Sequence, residues 1–391
     1  MRGMVALAAV ALGGLGSLSA VSRPMISADI QAELLQVHFI DVGTGDSVWI
    51  HTGDDGIPGN GVLEGLNIVI DGGDWGRFGR ADGYLSASEY LGQAERLPFG
   101  STIDWLILSH PHSDHNGGLF GFLEDYDVKN ILDPGHDKTS DDGQPDRERP
   151  LSAYGRFFQK ASTEILSTGG QAQFLWGVPD DLALDWGSEL DVAVLWSSRE
   201  IVDGDLNNTS IVLRLGFTDP ANSVSFLFTG DAEEAVEEAL VTAFGEQLRS
   251  TVLKAGHHGS NSSTTEVFLR AVRPAHVVVS AGNQAFSGTM LPRPETFTRI
   301  ETVSTDLNLS TTVWRTDRGD KTPVLKPVGS ETGDDTILAT TNGQTISIDY
   351  VQADSAAAPV INRCQATTRA GAQCKRTPSA DSQFCWQHQG G

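Results

Sequence analysis

The chain has 391 residues, of which 39% are hydrophobic and 20% charged, and this length and composition predict a soluble globular protein with a sizeable core. Its formal net charge of −24 argues against a sequence-independent polyanion binder, which normally presents a basic face. The charge does not exclude a nuclease, because bound divalent metal ions supply local positive charge where a phosphate would sit.

Residues 1–24 have the composition of a targeting segment. Arg2 precedes an apolar run of small residues, and Ala20, Val21 and Ser22 form a small-x-small cleavage site. These features predict a secretory signal peptide and an exported protein, periplasmic or secreted. A membrane anchor is one alternative, although the run is only marginally long enough to span a bilayer. A true start at Met25 is the other, and it would make the protein cytoplasmic.

Short runs of β-type residues separated by Gly, Asn and Asp turns follow this segment, which predicts an antiparallel start to a sheet. The predicted strands of the first half are residues 35–40, 47–51, 66–70, 104–108 and 129–132. Its predicted helices, from apolar periodicity, are residues 86–96, 119–124 and 151–163.

The second half is rich in β-type runs from residue 190 onward. Its predicted strands are residues 190–196, 210–215, 224–228, 251–254 and 276–280, and its predicted helices are residues 232–244 and 264–272. After residue 281 the pattern weakens, with late strands at 311–315 and 345–350. The whole predicts a mixed α/β domain over residues 33–351, a linker over 352–362 and a small separate unit over 363–391.

A histidine-rich motif follows the predicted buried strand at 104–108. His110, His112, Asp114 and His115 lie within six positions and precede a pair of glycines. Imidazole nitrogens suit zinc, manganese or iron, and a carboxylate can take a second cation or hold a nucleophilic water. A single histidine is more often structural, but four ligand-type residues at this spacing rarely arise for packing. The motif therefore predicts a metal site.

Two later motifs extend this site. Asp231 follows one predicted strand and precedes a helix, and His257 and His258 follow another strand. Alone, an aspartate before a helix is usually an N-cap, and a histidine pair is a modest signal. In this order after the first motif, they supply a bridging carboxylate and a ligand from a distant loop, which a two-metal site needs.

The three motifs together resemble those of the metallo-β-lactamase-fold hydrolases. More narrowly, the chain resembles the metallo-β-lactamase domain of the ComEC family of DNA-uptake competence proteins, over about residues 35–281. The narrower resemblance rests on residues 37–47 (VHFIDVGTGDS), 207–213 (NNTSIVL), 227–231 (LFTGD) and 253–260 (LKAGHHGS). It implies a four-layer αββα sandwich.

The resemblance also implies ligands for one or two Zn²⁺ or Mn²⁺ ions, drawn from all three motifs. They are His110 and His112 for the first ion, Asp114, His115 and one of His257 or His258 for the second, and Asp231 as the bridge. The implied catalytic set is Asp114, His115 and Asp231, with Asp114 orienting the attacking water.

The chain departs from the family pattern at three places. Asn207 and Asn208 stand where the wider superfamily has a third histidine for the first ion, a feature that the ComEC-like group shares. Thr44 replaces a glutamine, and the usual Gly-His-Pro is missing after residue 283. Asparagine is a poor zinc ligand, so the number of bound metal ions stays open.

Several other polar residues are candidates for supporting roles. Asp41, Asp46 and Asp71 are predicted either to orient the ligating histidines or simply to form turns, where aspartate is favoured. His136 is predicted to lie on a surface loop, with the cleft as the alternative. Tyr154 is predicted to pack in its helix, with substrate contact as the alternative.

The C-terminal unit carries all three cysteines of the chain. Cys364, Cys374, Cys385 and His388 make a Cys₃His set, which is a common closed structural zinc site. A disulfide with a spare thiol is the alternative if the chain is exported. The unit is locally basic, which weakly indicates a nucleic-acid or protein contact.

These observations predict a metal-dependent hydrolase that attacks its substrate with metal-activated water. By resemblance, the leading substrate is DNA, cleaved as a phosphodiester. A small phosphodiester, lactone or thioester is the second hypothesis, favoured by the acidic charge. A binding module with a decayed site is the third, because of the asparagines at 207 and 208.

Overall fold

The computed structural model covers most of the predicted α/β domain. It describes residues 34–43, 45–54, 63–74, 86–92, 96–136, 139, 143–167, 172–282, 285–286, 289–317 and 335–351. The predicted signal segment, Thr44, the linker and the Cys/His unit lie outside these residues. No helix in the described part of the chain has the length and apolar character needed to cross a bilayer.

The first sheet contains eight strands. In the order given next, the first five strands pair antiparallel, and the fifth to the eighth pair parallel. Across the sheet, the strands are β16 (Ile346–Tyr350), β15 (Ile337–Thr341), β1 (Leu35–Phe39), β2 (Val48–His51), β3 (Asn67–Ile70), β4 (Thr102–Ile107), β5 (Asp127–Asp133) and β6 (Gln173–Trp176).

The second sheet contains six strands. Its first four are parallel, and the last two pair antiparallel. In order they are β14 (Thr312–Arg315), β11 (His276–Val279), β10 (Val252–Lys254), β9 (Phe226–Phe228), β8 (Val212–Phe217) and β7 (Leu190–Trp196). A separate hairpin pairs β12 (Ala285–Phe286) with β13 (Thr289–Met290).

Helices cover the outer face of each sheet. One apolar core lies between the sheets and draws on both, with the rings of Phe39 and Phe228 at 6.1 Å. A second core packs the first sheet under its helices, and a third packs the other sheet. Those helices are α1 (Ala87–Leu91), α2 (Ser113–Asn116), α3 (Leu119–Asp125) and α4 (Ala153–Ser167) on the first sheet, and α5 (Glu234–Phe244), α6 (Glu266–Val272) and α7 (Pro294–Asp306) on the second. The predicted four-layer αββα architecture is confirmed.

The parallel strands bring the motif loops to one edge of the sandwich. Strands β3 to β6 all end at the same edge of the first sheet, and β9 to β11 end at one edge of the second. The two edges are joined, because the backbone N–H of Ile211 donates to the carbonyl of Ser109 at 2.9 Å. The histidine-rich loop after β4 therefore faces the loops after β9 and β10.

Several elements differ from the sequence prediction. The helix expected over 86–96 ends at Leu91, with Gly92 at its C-cap. Strands β6 and β15 and helix α7 were not predicted at all. The signal was weak there because β6 and β15 are short and gain their place by pairing with strands far along the chain.

Candidate metal centre

The loop after β4 carries the first part of the site. His110 and His115 are fully buried, and their rings lie 4.1 Å apart between centroids. His112 is the N-cap residue of the short helix α2, and its Nδ1 lies 3.0 Å from Nε2 of His110. The turn into α2 thus gathers three imidazoles that are close in sequence.

Asp231 joins this group from the second sheet. It follows β9 and is 1% exposed. Its Oδ2 lies 3.1 Å from Nε2 of His115, 3.3 Å from Nε2 of His258 and 3.7 Å from Nε2 of His110. One carboxylate oxygen therefore faces ring nitrogens from both sheets, as the bridging role implies.

The structure separates the two histidines of the third motif. His258 is buried, and its Nε2 lies 3.3 Å from both Asp231 and Oδ2 of Asp114. Its Nδ1 lies 3.0 Å from the carbonyl oxygen of Ser280, which aims Nε2 at the other ligand-type atoms. His257 is 25% exposed at its side chain, and its Nδ1 pairs with Glu233 at 2.9 Å. His258 is thus the one that reaches the centre of the group.

Four side chains form a compact buried group that can bind a metal ion. Each offers one ligand atom, and these atoms all lie within 4.8 Å of one another. The members of this group, called here the ligand cluster, are Asp46, His115, Asp231 and His258. Asp46 was predicted to support ligands or form a turn, whereas the structure places it among them.

The donor chemistry of the ligand cluster fits a first-row metal ion. Imidazole nitrogens and carboxylate oxygens are the ligands that zinc and manganese use. Oδ1 of Asp231 is buried and accepts no hydrogen bond from any described residue. A buried oxygen without a donor is costly, and a metal ion would satisfy it.

Asp71 orients one ligand of the cluster. It follows β3 directly, and its Oδ2 lies 2.8 Å from Nδ1 of His115 and accepts from the Ser109 hydroxyl at 2.6 Å. Its Oδ1 accepts the Ser109 backbone N–H at 2.7 Å. A carboxylate on Nδ1 leaves Nε2 of His115 directed at Asp231, which is the geometry of an outer partner of a metal ligand.

Lys254 was missed by the sequence analysis. It ends β10, is 2% exposed, and its ammonium contacts the carboxylate of Asp46. It also donates to the carbonyl of Gly230 at 3.1 Å and lies 3.9 Å from Oδ1 of Asp231. A lysine in a strand whose residues are all buried was the available signal, because such a lysine needs a carboxylate partner.

Charges inside the cluster shift its titration. Burial opposes ionisation of His115 and His258, but nearby carboxylates, led by Asp231, outweigh it and hold both pKa values well above the ordinary histidine value. Burial raises the pKa of Asp231, but the histidines outweigh it and hold that pKa well below its usual range. Burial and the neighbouring His115 lower the pKa of His110 well below its ordinary value. Metal ions must therefore compete with protons held on two of the imidazoles.

The asparagines at the third-ligand position, Asn207 and Asn208, differ in their hydrogen bonds. Asn208 is used in the loop, since its Oδ1 accepts from the Glu233 backbone N–H at 3.0 Å and its Nδ2 donates to the Val202 carbonyl at 3.1 Å. Asn207 is buried, and its Oδ1 accepts no hydrogen bond from the described residues. Of the two, Asn207 is the one with an acceptor to spare.

Among the predicted ligands, His110, His112, Asp114 and His257 are not members of the ligand cluster. Three of the other candidates also lie outside it. Oδ1 of Asp41 accepts the Gly43 backbone N–H at 3.1 Å, which is a turn contact. Nδ1 of His136 lies 2.7 Å from the carbonyl oxygen of Arg199. Tyr154 is 2% exposed and donates to Asp133, which is the packing role that was expected. The predicted zinc ligands of the C-terminal unit are outside the described residues.

Comparison with known proteins identifies a superfamily. The family model described as the metallo-beta-lactamase superfamily matches residues 62–282, which is more than half of the chain. YhfI of Bacillus subtilis, a metallo-beta-lactamase fold protein of known structure, covers 72% of this chain and 97% of its own at 14% identity, with a TM-score of 0.40.

Curated relatives carry names from competence and recombination. ComE operon protein 3 of Bacillus subtilis (strain 168) is 27% identical over 253 residues, which is 63% of this chain and 28% of that protein. Recombination protein 2 of Haemophilus influenzae is 27% identical over 252 residues, 63% of this chain and 24% of that protein. Competence protein ComA of Neisseria gonorrhoeae is 44% identical over 86 residues, 22% of this chain and 12% of that protein. The matched region thus spans under a third of each relative.

Proposed function

The chain belongs to the metallo-beta-lactamase superfamily, and on that premise we propose that it is a metal-dependent hydrolase that cleaves phosphodiester bonds in DNA. The observation that supports metal chemistry is the ligand cluster, in which Oδ1 of Asp231 is buried and accepts no hydrogen bond from the described residues. The names of the relatives, competence proteins and a recombination protein, favour DNA as the substrate.

The proposed ligand sets are those that the family resemblance implies, with His258 chosen over His257 because it is the one that contacts Asp114 and Asp231. His110 and His112 would hold one ion, Asp114, His115 and His258 a second, with Asp231 shared and Zn²⁺ or Mn²⁺ as the metal. A bound metal would bring the pKa of a water ligand close to neutrality and polarise the attacked phosphoryl oxygen.

The chain's own residues prepare this site. Asp71 fixes the ring of His115, and the Ser280 carbonyl fixes that of His258. Asp114 is 12% exposed at its side chain, more open than Asp231, and would orient the attacking water. Lys254 offsets part of the negative charge that Asp46 and Asp231 bring into the site.

The direct test is cleavage of labelled single-stranded DNA by protein loaded with Mn²⁺ or Zn²⁺. Asp231→Asn and His110→Ala should each lower the rate at least about 100-fold, because each removes a ligand rather than an outer partner. His276→Ala is the matched control, since His276 lies on β11 against Trp314 and should keep full activity. Absence of cleavage with both metals across neutral pH would refute the nuclease proposal.

A small-molecule hydrolase is the second candidate, and the net charge of −24 favours it over a polyanion substrate. A panel of small phosphodiesters, lactones and thioesters would identify such a substrate. The activity should be lost in His112→Ala, and an activity that survives this substitution would arise elsewhere.

A binding module is the third candidate, and the asparagines at 207 and 208 favour it. It predicts less than one metal ion per αββα domain after mild purification, and no turnover. One or more tightly held ions per domain would count against it.

We also propose that residues 1–24 direct export, on the composition of that segment alone. N-terminal sequencing of the mature protein should find a new terminus near residue 22. An intact Met1, or a chain that begins at Met25, would contradict export by a cleaved signal.

We further propose that Cys364, Cys374, Cys385 and His388 hold a structural zinc ion in a unit joined to the hydrolase domain through residues 352–362. Cys374→Ser should then lower the zinc content by one ion per chain and leave cleavage unchanged. Protease cutting inside 352–362, with both pieces stable, is expected from the same proposal.

A further inference from the structure

Arg199, in the loop after β7, joins the ends of three strands at the edge that carries the metal centre. Its Nη2 donates to the backbone carbonyl of Trp176, at the end of β6, at 3.0 Å. Its own carbonyl lies 2.7 Å from Nδ1 of His136, just beyond β5. The residue is exposed to solvent, yet these contacts connect both its side chain and its backbone to the first sheet.

Two glycines make room for its guanidinium. A Cβ on Gly177 would lie 2.1 Å from both Nε and Nη2 of Arg199, and a Cβ on Gly135 would lie 3.1 Å from Nε. The φ values of these glycines are +96° and +85°, which other residues rarely adopt. The backbone at the ends of β5 and β6 is therefore shaped so that the guanidinium packs directly against it.

The charge of Arg199 is not matched within the described part of the chain. None of the described carboxylates forms an ion pair with it, although the chain has 51 acidic residues and 27 basic ones. Arginine has five N–H donors, and the Trp176 carbonyl uses one. A fixed guanidinium with donors left over is suited to a phosphate, which it can bind in bidentate fashion.

Arg199 lies within reach of a substrate held at the ligand cluster. Strand β6 is two strands from β4, whose loop carries His110, and β7 is two strands from β9, which leads to Asp231. Two strand spacings are about 10 Å. A substrate with more than one phosphate can therefore contact both places, whereas a single small phosphodiester cannot.

We propose that Arg199 binds a phosphate group of the substrate next to the one that is hydrolysed. The inference rests on the proposed phosphodiesterase function and adds a substrate class to it: phosphodiesters with at least one further phosphate. Gly135 and Gly177 serve this role by holding the guanidinium in place before the substrate arrives.

The test compares Arg199→Gln with Arg249→Gln on two substrates. Arg249 is exposed and precedes β10, at the far end of the second sheet, so its substitution controls for net charge. With oligothymidylate, Arg199→Gln should raise KM about 10- to 100-fold with little change in kcat, since hydrogen bonds to a charged group are lost. With bis(p-nitrophenyl) phosphate, which has one phosphate, KM should stay within twofold of wild type.

A second readout separates phosphate binding from a structural role. For fluorescent oligothymidylate, the slope of log K against log salt should be smaller in magnitude by about 0.7 in Arg199→Gln than in wild type, because one phosphate contact is lost. Arg199→Lys keeps the charge but not the planar fork, and should be intermediate. If urea denaturation shows that Arg199→Gln is not folded, Arg199→Lys becomes the test variant.

The outcomes are distinguishable. If wild type cleaves both substrates and KM is unchanged in Arg199→Gln, the role of Arg199 is refuted and the proposed function stands. Equal loss on both substrates would also refute it, because Arg199 would then act on site geometry. If wild type cleaves neither, the proposed function fails, and unaltered oligothymidylate affinity and salt slope in Arg199→Gln would overturn the phosphate contact as well.

Discussion

Lys254 places a buried ammonium beside two buried carboxylates, those of Asp46 and Asp231. Its partner Asp46 is 3% exposed, and burial alone would raise the pKa of that carboxyl. Lys254, followed by His258, outweighs burial and holds the pKa below its usual range. Removing one member of such a pair leaves an uncompensated charge inside the protein, which is far costlier than the loss of a surface pair.

Lys254→Met should therefore lower the free energy of unfolding of metal-free protein by about 3–5 kcal/mol. Lys129→Met is the matched control: Lys129 is 51% exposed and pairs with Asp104 at 3.2 Å, so its loss should cost less than about 1 kcal/mol. Urea denaturation in a chelator measures both. Adding Asp46→Asn should recover part of the loss, and equal stability of the two single variants would contradict this account.

Asp46 and Lys254 also mark the limit of sequence reasoning at the scale of the residue. The histidine-rich motif, Asp231 and a histidine after β10 could be found because their spacing and order carry information. The sequence left two interpretations of Asp46 open, a partner that orients a ligating histidine or a turn aspartate, because aspartate is common in turns. Its contact with Lys254 depends on β1–β2 and β10 meeting in space, and no local pattern encodes that meeting.

At the scale of elements, the same distinction separates what was predicted from what was not. Strand β3 carries a continuous apolar run over residues 68–70, because it is buried on both faces. Strand β15 is also largely buried, but its sequence, ILATT, is short and mixed, and its place is fixed by pairing with β1 and β16. Helix α7 begins with proline at its first turn, a recognisable start that was overlooked.

The junction before α3 depends on a close approach of two backbone segments. A Cβ on Gly118 would lie 1.9 Å from the carbonyl oxygen of Gly72, and the Gly118 N–H donates to the Gly73 carbonyl at 3.0 Å. The Gly72 N–H in turn donates to the carbonyl of His115 at 2.7 Å. Any side chain at 118 must push this loop away from a member of the ligand cluster.

Gly118→Ala should cost about 1–3 kcal/mol through overpacking and also weaken metal binding. Its φ is −85°, so the loss cannot come from backbone strain. Gly100→Ala is the control: it has φ +83° and nothing within 4 Å of the added Cβ, so it should cost about 1–2 kcal/mol with metal affinity unchanged. Titration calorimetry with Zn²⁺ separates them, and equal metal affinity in both variants would disprove the coupling.

Helix α5 is tied to the loop before α6 by the buried carboxylate of Glu237. Its two oxygens accept the backbone N–H groups of Thr264 and Thr265 at 2.5 and 2.8 Å. Burial raises the pKa of Glu237 to about 7, against the opposing effect of those bonds and of Arg299. The protonated form is thus favoured in the folded protein well above the usual range of a glutamate.

The sign of the resulting pH dependence follows directly. Between pH 4.5, the ordinary value, and about 7, the folded state holds a proton that the unfolded state has lost, so stability falls as pH rises. The free energy of unfolding of wild type, relative to Glu237→Gln, should drop by about 3 kcal/mol across this window. Urea denaturation at half-unit intervals from pH 4.5 to 8 measures it, and parallel curves for the two proteins would rule out the shift.

At the scale of the whole molecule, the net charge of −24 sets the long-range field that an approaching substrate meets. A polyanion is repelled at low ionic strength, where the screening length is about 30 Å at 0.01 M, and much less at 0.15 M, where it is about 8 Å. Metal ions held at the ligand cluster, as proposed, would offset this field only locally, as would Arg199. The overall charge balance is opposite to that of the usual basic nucleic-acid binder.

The proposed nuclease should therefore respond to salt in an unusual direction. As NaCl rises from 10 to about 150 mM, kcat/KM on single-stranded DNA should increase, because screening removes a repulsion that slows encounter. An uncharged ester substrate, if the site accepts one, should show no such rise and serves as the control. A steep fall of kcat/KM for DNA over the same range, as counterion release gives for a basic binding face, would instead show that local cationic contacts such as Arg199 dominate encounter and outweigh the field of the whole chain.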